Sequence, residues 1–140
     1  MGAFTHVRYG RGVVVLLAPV DRGSPTAARP LAKALGQARR DLIPIDVSGH
    51  VETLYSRTRD GWVVTVVNND GVTKTFREAP KVDPKAAQTV KITWRGHGGV
   101  RRAVLWGPDA DTPLDPARLR IVVPPGEVRI VHLVTQPAGR

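Results

Sequence analysis

Apolar residues in this chain fall into two patterns, unbroken runs and strict alternations. The run Val13-Val14-Val15-Leu16-Leu17-Ala18 contains no polar position, as expected of a strand covered on both faces in the manner of a parallel sheet. Leu31, Leu35, Ala38 and Leu42 then recur at helical spacing, with Lys33, Arg39 and Arg40 facing away. Proline is tolerated only in a first helical turn, so the helix starts at Ser24-Pro25 or Arg29-Pro30, and Pro44 ends it. The segment before the run, Phe4 to Gly12, is mixed and polar, and a loop follows the run from Asp21 to Pro25.

After Pro44 the period changes to that of strands. Ile45 to Val47, Val51 to Thr58, Trp62 to Asn68 and Val72 to Arg77 follow one another across short turns. Thr89 to Trp94 alternates, with Val90, Ile92 and Trp94 on one side; Arg102 to Trp106, Leu119 to Val123 and Val128 to Val134 complete the set. Pro80 to Ala87 is a loop with a helical turn beginning at Pro84, and Gly107 to Pro116 is a polar loop. Asp60-Gly61 and Asn69-Asp70-Gly71 offer positive φ angles for tight turns, and Pro124-Pro125-Gly126-Glu127 has the chemistry of a type II turn. Trp62 to Asn68, β-branched or aromatic almost throughout, is expected to be the central strand of an antiparallel sheet.

The expected architecture is mainly β: an antiparallel β-sandwich of seven or eight strands, preceded by a short β-α segment. One strand and one helix cannot cover each other's faces and edges, so residues 1–43 are expected to be the remnant of an incomplete α/β domain. The sandwich then spans 44–136, with a loose tail at 137–140. An unpaired Val13–Ala18 edge would also promote association of like chains into a homo-oligomer.

Composition narrows the chemistry. The 140 residues include no cysteine, which excludes disulfides, thiolate metal sites and a Cys-His-Glu catalytic site. His6, His50, His97 and His132 lack ligand spacing, and Thr112-Pro113 occupies the place where a calcium loop built on Asp109, Asp111 and Asp115 would need its far acid. No two acids are placed as a glycosidase pair. The expectation is therefore no catalytic residue, no metal and no cofactor. No signal peptide or membrane span is visible in the sequence.

A net charge of +9 favours polyanions, and the best basic stretch is Arg95-Gly96-His97-Gly98-Gly99-Val100-Arg101-Arg102. Arg95, Arg101 and Arg102 are thus the candidate polyanion contacts. Against nucleic acid, aromatics make up only 5% and 16 of the 21 basic residues are arginines spread along the whole chain. Among the tryptophans, Trp62 and Trp94 sit in apolar strands and are expected in the core, leaving Trp106 as the candidate carbohydrate contact.

Several of these pieces resemble the C-terminal region of bacterial β-galactosidase-like glycoside hydrolases. They are Tyr9-Gly10-Arg11-Gly12-Val13-Val14, Leu42-Ile43-Pro44-Ile45-Asp46-Val47-Ser48-Gly49, Gly61-Trp62-Val63-Val64, Asn68-Asn69-Asp70-Gly71-Val72-Thr73-Lys74 and Val123-Pro124-Pro125-Gly126-Glu127-Val128. In that arrangement a catalytic barrel is followed by a glutamine-amidotransferase-like α/β domain and a small β-sandwich. The resemblance implies a non-catalytic accessory domain whose partner is a catalytic or upstream α/β domain of a larger protein. The family's catalytic carboxylates belong to the barrel, so none is carried over.

Overall fold

Strand pairing in the computed structural model, which describes residues 4–9, 12–17 and 25–136, is antiparallel throughout, and the chain is mainly β. The described residues form two compact units that part between Pro44 and Ile45.

In the first unit, β1 (Phe4–Tyr9) and β2 (Gly12–Leu17) form a hairpin in register from Phe4↔Leu17 to Tyr9↔Gly12. This departs from the sequence expectation in two ways. The supposedly mixed segment is a strand, and the apolar run pairs antiparallel with it; a hairpin needs only a short connection, whereas a parallel partner needs a long crossover. Helix α1 (Pro25–Leu42) starts at the earlier of the two prolines, and Leu35 and Leu42 of its apolar stripe are exposed. The expected loop over 21–24, the tail at 137–140 and the burial of the Val13–Ala18 side chains lie outside the described residues.

The second unit is a sandwich. Its larger sheet runs β10-β9-β12-β5-β4, built from β4 (Glu52–Arg57), β5 (Gly61–Val67), β9 (Val100–Trp106), β10 (Thr112–Leu114) and β12 (Val128–Thr135). The smaller sheet runs β11-β8-β3, from β3 (Ile45–Val47), β8 (Gln88–Trp94) and β11 (Arg120–Val123). A two-stranded ribbon joins β6 (Val72–Thr73) to β7 (Lys81–Val82). Val64, Val66, Ala103, Val131 and Leu133 from the larger sheet and Ile45, Val90, Ile92, Ile121 and Val123 from the smaller one form the core. The middle of the larger sheet is β12, which pairs with both β5 and β9, so the strand nearest the C-terminus is the hub and Trp62–Val67 is its neighbour.

Turns account for the main local corrections. Gly61 does not have positive φ: it sits buried in β5, where a Cβ would lie 1.9 Å from the Leu133 carbonyl oxygen of β12. Its lack of a side chain serves close strand approach rather than turn geometry. Gly71 does take positive φ, 71°, and a Cβ there would meet the Ala86 methyl at 2.5 Å. The strand expected to run from Val72 to Arg77 stops at Thr73, and Phe76 is 97% exposed. Within the loop expected from Gly107 to Pro116, Thr112–Leu114 pairs with β9 as an edge strand, the one place where Pro113 can sit in a sheet. The helical turn at Pro84 is a 3-10 turn, Pro84–Ala86, capped by Asp83 through Lys85 N–H at 2.9 Å. In the turn at Pro124, Glu127 N–H donates to Pro124 O (3.2 Å) and Gly126 has φ 76°.

One polar side chain ties the layers together. Asn68, at the end of β5, is fully buried, and its Nδ2 donates to Ala86 O and to Val123 O, both at 2.9 Å. Its Oδ1 accepts from Asp70 N–H at 3.0 Å, while its backbone bonds both ways with the Gly126-Glu127 turn. Every hydrogen-bonding group of this residue is thereby satisfied, which is the condition for burying an amide without a large penalty. Because Val123 belongs to the smaller sheet, the amide fastens the two sheets at one end.

Candidate functional site

Strand alternation decides what each sheet presents outward. On the larger sheet Val64, Val131 and Leu133 point into the core, so their neighbours Val63, Thr65, Val67, Ile130 and His132 point out. In the same register Leu54 of β4 and Val104 and Trp106 of β9 join that outward face. Val63, Val67, Ile130, Leu54, Val104 and Trp106 make an apolar stripe on this face, with Thr65 and His132 within it and Glu52, Ser56 and Arg102 on the same face in the same register. Val104 is buried, while Leu54 (62%), Val128 (48%) and Trp106 (43%) are exposed.

Trp106 rests on His132, ring centroids 5.7 Å apart and planes inclined by 56°, as diagonal neighbours across β9 and β12 do. The buried His132 Nε2 lies 3.3 Å from Asp60 Oδ1 without a hydrogen bond between them. Asp60 Oδ1 instead accepts from Thr58 Oγ1 at 3.0 Å. That hydroxyl is the main reason the Asp60 carboxyl titrates below its ordinary value, with nearby His132 adding to the effect. The order Thr-Asp-His puts the acid between hydroxyl and imidazole, whereas nucleophilic catalysis needs the imidazole in the middle.

The candidate polyanion contacts do not converge. Arg95 pairs through Nε with Asp46 of β3, a tie within the smaller sheet. Arg101 and Arg102 are exposed successive residues of β9 and therefore project to opposite sides. Of the other tryptophans, Trp62 and Trp94 are half-buried; the Arg57 guanidinium stands 5.9 Å from the Trp62 ring, and Trp94 Nε1 donates to Gly98 O at 3.2 Å.

A second polar group gathers at the Asp70 turn. His50 Nδ1 lies 2.8 and 2.9 Å from the two Asp70 carboxylate oxygens, and Gln88 Nε2 donates to Asp70 Oδ2 at 3.1 Å. These contacts link three chain segments at one end of the sandwich. Among the described residues no three His, Asp or Glu side chains are arranged to hold a metal ion. Nor is any helix among them long and apolar enough to cross a membrane.

The basic residues that do share a concave surface are Lys91, Arg118 and Arg120, which line an open groove of about 730 Å³ beside Trp94. Sequence spacing hides this grouping, because Lys91 lies 27 or more positions from the two arginines. The one available signal is the alternation of β8 and β11, which sends Lys91 and Arg120 to the same outward side. No family model, curated protein or solved structure matches the chain.

Proposed function

We propose that the sandwich is a non-catalytic accessory domain of a glycoside-hydrolase-like protein, packing through the outward face of its larger sheet on a catalytic or upstream domain. The observation that carries this is the apolar stripe across that face, from Leu54 across Val63, Val67 and Ile130 to Trp106, which shares the face with Glu52, Ser56 and Arg102. A sheet face bathed in water reads polar at these positions, and contiguous apolar surface is the mark of a protein contact. The glycoside-hydrolase assignment rests on the resemblance of the strand and turn segments.

The test is co-expression of this chain with the protein encoded immediately upstream of it. A barrel hydrolase that co-purifies in a fixed ratio, and is released by Val67→Lys with Ile130→Lys, is the expected result. Failure of the two to associate, or association insensitive to those substitutions in a chain that still melts cooperatively, would refute the proposal. The isolated chain is expected to hydrolyse no aryl glycoside, and hydrolysis abolished by changing one of its own acids would overturn that expectation.

A further inference from the structure

The outward side of the smaller sheet carries an electrostatic conflict. Lys91 of β8 and Arg120 of β11 are directly opposed Cα partners in an antiparallel pair, which sets like charges at a Cβ separation of about 5 Å. Like charges so placed destabilise a sheet, and neither has an acidic partner among the described residues. Arg118, two residues before Arg120, adds a third cation to the same groove. Three other cations of the sandwich are compensated, Arg95 by Asp46, Arg129 by Glu127 at 2.6 Å and Lys81 by Glu78 at 3.5 Å. The acid nearest Arg118 in sequence, Asp115, turns a carboxylate oxygen to Ala117 N–H at 2.9 Å.

The groove also has an apolar wall. Trp94, Val100 and Pro116 line it together with the three cations. The indole is held in place by its bond to Gly98 O and by close packing on Gly96, where a Cβ would come within 2.3 Å of Cζ2. A fixed aromatic surface beside clustered guanidinium and ammonium groups matches a ligand with one apolar face and a negatively charged substituent.

We infer that this groove binds an acidic sugar chain, seating a carboxylate or sulfate group between Lys91, Arg118 and Arg120 and a sugar ring against Trp94. Both arginines can hold such an oxyanion with two parallel hydrogen bonds, and the bound charge removes the Lys91–Arg120 repulsion. Nucleic acid fits less well. A phosphate backbone is tracked by cations laid out in a stripe and its bases by several aromatics, whereas here one groove is lined by three cations and a single indole, which β8 carries on the side opposite to Lys91.

Calorimetric titration of the full chain at fixed salt with polygalacturonate, dextran sulfate, neutral dextran and single-stranded DNA tests the inference. Polygalacturonate or dextran sulfate should bind, neutral dextran should not, and which acidic polymer binds tells carboxylate from sulfate. Arg120→Ala should weaken that binding at least tenfold and Lys91→Ala several-fold, with melting temperature unchanged or raised. Arg77→Ala, an equal loss of charge outside the groove, should leave binding as it was. Equal weakening by Arg77→Ala, tighter binding of DNA than of both acidic polymers, equal binding of neutral dextran, or no binding of either acidic polymer would each overturn it.

Discussion

The two sheets of the sandwich share one core but differ on their outward faces. The smaller sheet alternates in burial and, Val122 apart, in polarity: β8 buries Val90 and Ile92 and exposes Thr89, Lys91 and Thr93, and β11 buries Ile121 and Val123 and exposes Arg120 and Val122. The larger sheet does not alternate in polarity, because β5 and β12 are apolar on both sides. A strand that faces water on one side gains nothing from apolar residues there, whereas a strand covered on both sides gains about 25 cal/mol for each Å² of apolar surface removed from water. This contrast is what supports the packing proposed for the larger sheet and the ligand groove proposed for the smaller one.

The sharpest way to break this comparison is to separate the strands that make the larger sheet continuous. Gly61→Val drives a side chain into the Leu133 carbonyl of β12, a backbone atom that cannot swing aside. We expect a loss of about 3 kcal/mol or more, read by chemical denaturation. Thr93→Val, an exposed change on the smaller sheet, should stay within about 0.5 kcal/mol. Equal effects would show that the two sheets are equally tolerant, and the distinction drawn between them would fail.

Next in size is the tie between the layers. Asn68→Leu keeps the branched outline of the side chain, though bulkier, and leaves the Ala86 and Val123 carbonyls without their donor, so stability should fall by about 2 to 3 kcal/mol. Amide exchange should quicken first at the β5–β6 turn and at the end of β11. An Asn68→Leu variant as stable as the parent would mean that the amide is not what fastens the sheets.

The smallest effect sharpens the electrostatics beside Trp106. Asp60 titrates below its ordinary value in the folded chain, so its contribution to stability is present above the ordinary carboxylate pKa and disappears as pH falls through the lowered one. Thr58→Val removes the largest cause and should move the Asp60 carboxyl upward in an NMR titration, with little change in stability at neutral pH. A carboxyl that does not move would place the cause elsewhere, with the Asp60 backbone N–H and His132 the remaining contributors.

Local chemistry made much of the sandwich legible. The alternation of Thr89 to Trp94, the β-branched run after Gly61, the turn at Pro124 and the 3-10 turn at Pro84 each depend on residues within a few positions of one another. Candidate sites were less legible. Arg95, Arg101 and Arg102 are neighbours in sequence, yet an ion pair takes one and strand alternation parts the other two. Lys91 and Arg120 are far apart in sequence and stand side by side.

By itself, then, the sequence determined where the helix and most strands lie, β1 and the short edge strands β7 and β10 excepted, because periodicity and turn propensity are short-range properties of the chain. Only the tertiary structure decided that β12 is the hub, that β2 pairs antiparallel, that Gly61 makes room for a neighbouring strand, and that Asn68 is a buried clasp. Each of these depends on which strand lies next to which. That choice is made by burial and hydrogen bonding summed over the whole molecule, and no window of neighbouring residues contains it.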